Sequence, residues 1–592
     1  MSWQRQHTSA YRLLACCLVA VAACEDLDDG EPEAEATVTV QTGSGGGSSR
    51  PGTGTVTTTS SSRDAGARDA ALPDDELDPD VISSDSEQPL ATLLDGKIEG
   101  RWSDDGKVRS FVGIPYAEPP VDDLRWAPPQ APARWSRVFS ADTFGADCVQ
   151  PQLGRPTAVR GDEDCLYLNV WAPASNKRGL PVVFFIHGGD HIYGSASEPG
   201  PFKGELHFDG TALAARGVVV VTANYRLGAL GFLAHGDLDA ENSQSGNQGL
   251  LDQQFALQWV QDNAKAFGGD PDNVTIVGQG SGASDVCMHV AAPSSKTLFA
   301  QAISQSGGCT TYQPTVADVS RATDDWIDAV GCGSDRDVLG CLRDLPVKTL
   351  LAEVPVNASP FTAIVDGTFL TDQPRTLFEN TKFKAAPYII GSNTYEDASW
   401  QVDFETVTTE ADYHAFLQAT FPDASVEELC ELYPHDEFGN TPEGYRLSLA
   451  RVFRDAYHTC ASADTAIRAS AAGATVYAYD FDVSSDTQET DYVFGAAQVL
   501  GTSDRKLTEL VQSYWTNFAY TGDPNDTRLV EWPQYAPYGT PVSDARLAFA
   551  IGQPAPQSAH GTECAYWSKF YGSQFTVVKS VRPVPPAVPA AH

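Results

Sequence analysis

The stretch that decides the fold is Asn273–Ala283, NVTIVGQGSGA, in which an apolar run leads into a cluster of glycines. Val274–Val277 has the composition of a buried strand, and the glycines after it predict a sharp turn into a helix. A nucleophile elbow has this strand–turn–helix form and carries the pattern GxSxG, whose central serine attacks the substrate. Here the central position is Gly280, while the serine stands one position later, at Ser281. The sequence therefore predicts the turn without its nucleophile.

The body of the chain, residues 90–574, continues the pattern that the elbow begins. Short apolar runs such as Leu180–Ile186, Val218–Ala223 and Tyr388–Ile390 alternate with helical patterns such as Leu250–Ala264. Buried strands that alternate with helices are typical of a parallel sheet covered on both faces. We therefore expect a single α/β domain with a large, mostly parallel mixed sheet flanked by helices.

The segments outside this body have other compositions. Residues 1–24 combine basic residues with a short apolar core that ends in Val21–Cys24, which resembles a bacterial lipobox. A plain signal peptide cleaved near Ala22 is the alternative. Residues 25–89 are acidic and rich in Gly, Ser and Thr, and residues 575–592 are rich in Pro. We expect a lipoprotein of the bacterial cell envelope, exported and anchored to the membrane through lipid on Cys24, with a disordered tether and a loose tail.

The charge and the cysteines limit the partners and the compartment. The formal net charge of -39 argues against nucleic acid as a partner, because phosphate binding requires clustered Lys and Arg. Nine of the twelve cysteines follow Cys24, and in an exported protein they predict disulfides with at least one thiol left over. Cys287, on the helix expected after the elbow, is our candidate for the free thiol.

Several longer motifs identify a family resemblance. Phe111–Trp126 (FVGIPYAEPPVDDLRW), Glu163–Pro173 (EDCLYLNVWAP), Asn224–Gly228 (NYRLG) and Gly246–Gln253 (GNQGLLDQ) resemble signature blocks of type-B carboxylesterases and cholinesterases, in the family's order. The resemblance implies an α/β-hydrolase fold with a deep gorge at the strand ends. It implies no cofactor.

The resemblance also implies disulfides and one restriction on the ligand. By position it pairs Cys148 with Cys165, Cys332 with Cys341, and Cys460 with Cys564, and it leaves Cys287, Cys309 and Cys430 unassigned. In cholinesterases a tryptophan in the first of these loops holds a quaternary ammonium group by a cation–π contact. The loop between Cys148 and Cys165 has no tryptophan, which argues against choline esters.

The catalytic triad is incomplete when the family's pattern is carried onto this chain. The triad acid falls on Glu396, in the block GSNTYED, and the nucleophile position falls on Gly280. The base position, counted back from the block YVFG, falls on Asp486 instead of a histidine. An aspartate has the wrong pKa to accept a proton from serine and return it at neutral pH.

The oxyanion hole is altered as well. Its expected donors are the backbone N–H groups of Gly189, Asp190 and Ser281. Where the family has HGGG, this chain has HGGD, and the carboxylate of Asp190 would oppose the negative charge that develops in the transition state.

Three interpretations follow. The first is a non-catalytic member that binds an unknown ligand or protein partner, as neuroligins lack the catalytic serine. The second is an active ester hydrolase that uses Ser281 and an unidentified base. The third is another activity built from Asp190, Glu396 and Asp486 with His191, for which acid–base chemistry or Ca²⁺ or Mg²⁺ would suit the oxygen ligands. No spacing in the sequence specifies a metal.

Overall fold

The computed structural model describes residues 88–571, apart from 153–154, 200–205, 353, 355–359, 395–403, 405, 483–488, 497–500, 537–544, 552–554 and 558–560. The expected signal peptide, Cys24, nearly all of the tether, and the tail lie outside these residues, and so do Glu396 and Asp486. Within the described part, no helix has both the length and the apolar character that a membrane span requires.

The strands form one large sheet and two small ones. In chain order they are β1 (Leu90–Leu93), β2 (Gly96–Glu99), β3 (Arg101–Trp102), β4 (Val108–Pro115), β5 (Phe139–Ser140), β6 (Gln150–Gln152), β7 (Arg155–Arg160), β8 (Tyr167–Pro173), β9 (Leu180–Ile186), β10 (Val219–Ala223), β11 (Gly269–Gln279), β12 (Gln301–Gln305), β13 (Tyr388–Asn393), β14 (Val476–Asp482), β15 (Arg546–Ala550) and β16 (Ala555–Gln557).

The large sheet has 11 strands in the order β16-β15-β14-β13-β12-β11-β9-β10-β8-β4-β3. The seven central strands, from β15 to β10, pair in parallel. The outer strands β16, β8, β4 and β3 pair antiparallel. The sheet is therefore mostly parallel and mixed, as the sequence predicts.

Strand β9 is apolar along its whole length because both of its faces are buried. All seven of its residues are buried. Val182 and Phe184 belong to the core on one face of the sheet, whereas Val183 and Phe185 belong to the core on the other. Successive side chains of a strand point to opposite faces, so a strand covered on both sides has no polar face.

Helices cover both faces of this sheet, and four others form a layer of their own. In chain order they are α1 (Thr211–Ala214), α2 (Gly228–Phe232), α3 (Gly236–Asn242), α4 (Gln248–Asn263), α5 (Ser281–Ala291), α6 (Val316–Ala329), α7 (Val338–Asp344), α8 (Val347–Ala352), α9 (Pro374–Glu379), α10 (Glu410–Thr420), α11 (Val426–Leu432), α12 (Pro442–Arg454), α13 (Cys460–Ala471), α14 (Glu489–Phe494), α15 (Thr502–Thr521) and α16 (Gly561–Trp567). Shorter 3₁₀ turns cover Asp122–Leu124, Ala264–Phe267 and Pro293–Ser295, and a π-helical turn covers Asp455–Thr459.

Each face has its own core. Helices α4 and α5 pack in the core that contains Phe184, to which they contribute Leu257 and Val286. Helices α1 and α15 pack in the core that contains Phe185, to which they contribute Leu213 and Trp515.

A third core joins helices α10, α11, α12 and α16, and we call these four helices the helical cap. Tyr413, Leu429, Leu449 and Trp567 are each buried in it, one from each helix. Because this core is separate from the two cores on the sheet, the cap is a helical layer with packing of its own.

Four disulfides link the described cysteines. Cys148–Cys165, Cys332–Cys341 and Cys460–Cys564 are the pairs that the family resemblance implies. The expectation of a free Cys287 was wrong, because α5 directs this residue at Cys309, with 5.6 Å between their Cα atoms. The free thiol among the described residues is Cys430, on α11. Four disulfides are typical of an exported protein.

Candidate functional site

The turn between β11 and α5 has the geometry of a nucleophile elbow. Strand β11 ends at Gln279 and α5 begins at Ser281, so that Gly280 makes the whole turn with φ 60° and ψ -123°. The N–H of Gly280 donates to the carbonyl of Gln305 at 2.9 Å, which ties the turn to the end of β12. Residues other than glycine rarely adopt this backbone conformation. The nucleophile of an elbow does adopt a strained conformation, because the surrounding structure holds its backbone there.

The three glycines of the elbow differ in the space around them. A Cβ at Gly278 would lie 2.2 Å from the carbonyl oxygen of Gly282, and a Cβ at Gly282 would lie 2.3 Å from that of Ile186. Both positions therefore need glycine because backbone approaches them closely. A Cβ at Gly280 would meet no heavy atom within 4 Å. Position 280 therefore has room for a side chain, which glycine does not provide.

Ser281 stands one position after Gly280, outside the turn. It is the first residue of α5, and its hydroxyl oxygen is buried beside the hydroxyl of Tyr225. Burial, with the charge of Asp285, raises the pKa of Tyr225 well above its ordinary value. The Tyr225 hydroxyl stays protonated and donates to the carbonyl of His187 at 2.8 Å. Ser281 itself lines the cavity, with its hydroxyl oxygen buried against Tyr225.

The loop after β9 carries the other altered position. Gly189, Asp190 and His191 all have positive φ, at 107°, 55° and 58°. Asp190 is exposed, and its side chain adds a negative charge to the wall of the cavity that Gly280 also lines. Burial and that charge together raise the pKa of Tyr457, which lines the same cavity. Asp190 therefore places a carboxylate at the wall of the cavity.

A series of hydrogen-bonded polar side chains begins at His191. Its Nε2 lies 2.8 Å from Oδ1 of Asp285, and its Nδ1 lies 3.2 Å from the hydroxyl of Thr362. Gln253 donates to the second carboxylate oxygen of Asp285 at 2.7 Å. Asp285 is fully buried, while His191 and Thr362 both line the cavity.

The series of hydrogen bonds continues away from the cavity through His289. Its Nε2 lies 3.0 Å from Oε1 of Gln253, and its Nδ1 lies 2.9 Å from the hydroxyl of Ser295. Burial lowers the pKa of His289 to about 4, so this ring is neutral at pH 7. One assignment of protons then satisfies every partner: Thr362 donates to His191, and both His191 and Gln253 donate to the Asp285 carboxylate. We call these hydrogen-bonded residues the polar relay; they are Ser295, His289, Gln253, Asp285, His191 and Thr362.

The sequence analysis identified only His191 of this relay. A local signal exists, because Ser281, Asp285 and His289 recur every four residues along α5, which is otherwise apolar and small. Residues at this spacing share one side of a helix, so the polar groups of α5 could have been assigned to one buried face. Their partners are distant in sequence, and only the fold brings them together.

The cavity at the elbow has a volume of about 370 Å³. Polar groups enter it from Asp190, His191 and His458, and the Nδ1 of His458 donates to the carbonyl of Ser306 at 2.8 Å. The opposite wall comes largely from the aromatic residues of the cap and of the segments that adjoin it, namely Phe421, Tyr457, Trp567, Phe570 and Tyr571. Among the described lining residues, no three metal-ligating side chains lie close enough together to share an ion.

His187 precedes the oxyanion loop and is also part of this region. It is buried, its ring stacks on that of Tyr225 with 4.3 Å between the centroids, and its Nδ1 lies 2.9 Å from the carbonyl of Gly188. Burial lowers the pKa of His187 to about 4. The neutral ring of His187 packs on Tyr225 and contacts Gly188, and it thereby stabilises the loop that contains Gly189 and Asp190.

Comparisons with known proteins agree with the motifs. The model of the carboxylesterase family matches residues 87–567. The fumonisin B1 esterase of Sphingopyxis macrogoltabida is 33% identical over 491 residues, which cover 77% of this chain and 86% of that protein. The fold is therefore that of an α/β-hydrolase, and the chain belongs to the carboxylesterase family.

Proposed function

We propose that this carboxylesterase-family protein is non-catalytic and binds a ligand in the cavity above its elbow. The observation that carries the proposal is Gly280, which holds the elbow conformation and faces open space without a side chain. In a serine hydrolase, loss of the nucleophile alone lowers turnover by about a millionfold. The histidine expected of the family is replaced by Asp486 in the sequence, which removes the general base as well.

The alternative of hydrolysis by Ser281 requires a different local geometry. Ser281 lines the cavity, but its buried hydroxyl would have to turn away from Tyr225 to face a substrate there. Successive residues of a helix point about 100° apart around the axis, so a one-position shift does not bring the serine to the place of the elbow side chain.

The chemistry of the cavity indicates the kind of ligand. An aromatic wall favours an apolar or ring-containing molecule, and the carboxylate of Asp190 disfavours an anion. The net charge of -39 acts in the same direction. We propose an uncharged or cationic organic ligand, small enough for a cavity of about 370 Å³. A protein partner docked at the mouth of the cavity is the other possibility that the sequence leaves open.

The lipid anchor is part of the proposal. Cleavage before Cys24 and lipid modification of its thiol would attach the domain to a bacterial membrane through the tether of residues 25–89. Metabolic labelling with radioactive palmitate tests this step. We expect label in the wild-type chain and none in Cys24→Ser, and equal labelling of the two would refute the anchor.

Calorimetric titration with p-nitrophenyl butyrate, an uncharged aromatic ester, tests the binding site. Gly280→Leu places a bulky side chain in the open space, and Gly280→Ala is the matched control with the same backbone strain. We expect the wild type and Gly280→Ala to bind p-nitrophenyl butyrate alike, and Gly280→Leu to lose at least tenfold in affinity. Equal affinity in all three would refute binding at the elbow.

The polar relay supports a second candidate, an ester hydrolase that does not use the elbow. Asp285, His191 and Thr362 have the order of acid, base and hydroxyl in a catalytic triad. In this reaction the Thr362 oxygen attacks the ester carbonyl and His191 takes its proton. The alcohol leaves with that proton, and water then releases the acid from Thr362. Activity abolished by Thr362→Val and retained in Ser281→Ala would establish this candidate and exclude the first.

A further inference from the structure

Three metal-ligating side chains meet on the helical cap, apart from the residues that line the cavity. Glu410 and His414 lie one turn apart on α10, and His435 follows α11. One ligand atom of each residue lies within 4.8 Å of the others, and His435 Nε2 is 3.7 Å from Glu410 Oε2. We propose that this cluster is a binding site for a divalent transition metal, with Zn²⁺ as its ligand.

The Glu410–His435 distance is near that of tetrahedral coordination, and the pairs with His414, within 4.8 Å, have to close further on an ion. With bonds of about 2.0–2.1 Å to nitrogen or oxygen, two ligand atoms of a tetrahedral Zn²⁺ are about 3.4 Å apart. The Glu410–His435 separation exceeds this by a few tenths of an ångström. Glu410 is exposed and both histidines are half-buried, so that solvent ions reach the cluster and the side chains have room to close on one.

The ligand types favour a transition metal over Ca²⁺ or Mg²⁺. Two of the three donors are imidazoles, which suit Zn²⁺, Cu²⁺ and Ni²⁺, whereas Ca²⁺ and Mg²⁺ prefer oxygen alone. Two histidines and one glutamate leave the fourth tetrahedral position to water. When no metal is bound and His435 is protonated, the same atoms form an ion pair with Glu410.

Buried hydrogen bonds hold the two halves of the cluster in register. The hydroxyl of Tyr413, next to His414 on α10, donates to the carbonyl of Tyr433 at 2.9 Å, just before His435. Ser448 on α12 donates to the carbonyl of Pro434 at 3.1 Å. The start of α10 is fixed by a capping box between Thr409 and Asp412. Ligands on such a rigid support lose little conformational entropy when they bind a metal.

The position gives the metal a structural consequence. It would link α10 to the segment after α11, and the core beneath them contains Phe421 and Trp567, which line the cavity. Zn²⁺ would therefore brace the cap over the cavity. This inference stands whether or not the cavity binds a ligand or catalyses a reaction.

Calorimetric titration of the purified full chain with ZnCl₂, after removal of metal with a chelator, tests the site. We expect one Zn²⁺ per chain, and at least tenfold weaker binding in His414→Ala and in His435→Ala. His235→Ala is the matched control, because His235 also lies beside a carboxylate, 3.8 Å from Asp237, on another helix. Cys430→Ser, which removes the free thiol, is the second control. Both controls should bind Zn²⁺ as the wild type does.

Two results would overturn the proposal. One is Zn²⁺ binding that is unchanged in His414→Ala and His435→Ala, and the other is displacement of Zn²⁺ by equimolar CaCl₂, which would indicate diffuse attraction to an acidic surface. Far-ultraviolet circular dichroism establishes that each variant is folded. His414→Gln keeps a polar side chain at the same position and serves if His414→Ala does not fold.

Discussion

The elbow and the polar relay meet at the same cavity, which Gly280, His191 and Thr362 line, and they differ in the side chains they offer. At the elbow Gly280 has φ 60° and lies between two glycines that close contacts require, but it supplies no side chain to the cavity. In the relay, Asp285, His191 and Thr362 are joined by hydrogen bonds of 2.8 and 3.2 Å and have every donor and acceptor in place.

The difference shows that the shape of an active site and its chemistry are specified separately. The turn is imposed by strand pairing, by helix packing and by the lack of space at Gly278 and Gly282. None of these depends on a side chain at position 280, so the turn forms with glycine at its centre. Membership of the carboxylesterase family therefore establishes the fold and the cavity, whereas activity has to be argued from the side chains.

Removal of the relay's carboxylate should have the largest effect. In Asp285→Ala, His191 and Gln253 lose their acceptor in a fully buried place, and we expect the free energy of unfolding to fall by about 3–5 kcal/mol. Urea denaturation measures the change. Asp190→Ala removes an exposed carboxylate from the same cavity and should cost under about 1 kcal/mol. Equal losses in the two variants would contradict the relay.

Rebuilding the elbow should come next in size. Gly280→Ser with Asp486→His restores both residue types that the family uses, and we expect p-nitrophenyl butyrate hydrolysis at least about a hundredfold faster than in either single variant, or about 2.7 kcal/mol. The serine side chain introduced at the elbow enters open space, so the fold tolerates it. If Gly280→Ser alone reaches the rate of the double variant, another base already serves the cavity.

Acid should weaken the protein through its buried histidines. Burial lowers the pKa of His289 to about 4 in the folded state, whereas the unfolded chain titrates near 6.5. Between these values the unfolded chain binds a proton that the folded chain does not, so stability is complete above pH 6.5 and falls as the pH falls. The slope contributed by His289 is at most about 1.4 kcal/mol per pH unit.

The variant His289→Gln isolates this contribution. We expect its urea midpoint to depend less steeply on pH between 4 and 6.5, while the remaining slope includes His187, whose pKa is also lowered to about 4. If the variant shows the same dependence of stability on pH as the wild type, His289 binds its proton as readily in the folded protein as in the unfolded chain.

Strain at the elbow should give the smallest effect. Gly280→Ala meets no steric contact, so its only penalty is the positive φ, and we expect a loss of about 1–2 kcal/mol in urea denaturation. Gly278→Ala would place its Cβ 2.2 Å from a carbonyl oxygen and should lose more. Equal losses of stability in Gly278→Ala and Gly280→Ala would contradict the account, in which, of these two, only Gly278 is glycine for lack of space.

Features set by local pattern were predictable from the sequence. Leu180–Ile186 is strand β9 with the expected bounds, Leu250–Ala264 lies within two residues of helix α4, and Val274–Val277 lies in the buried part of β11. Pairings between distant segments were not predictable from such patterns. His191 meets Asp285 across 94 positions, and Cys287 meets Cys309 because the elbow turns α5 back along β12.

The central claim is that the family's fold is kept here without the family's chemistry. Hydrolysis of p-nitrophenyl butyrate by the purified wild-type chain tests it most directly, with Gly280→Ser/Asp486→His as the reference for a rebuilt site. The account predicts that the wild type releases p-nitrophenol no faster than buffer does. Saturable turnover that disappears in Ser281→Ala or in Thr362→Val would contradict it and would identify the residue responsible.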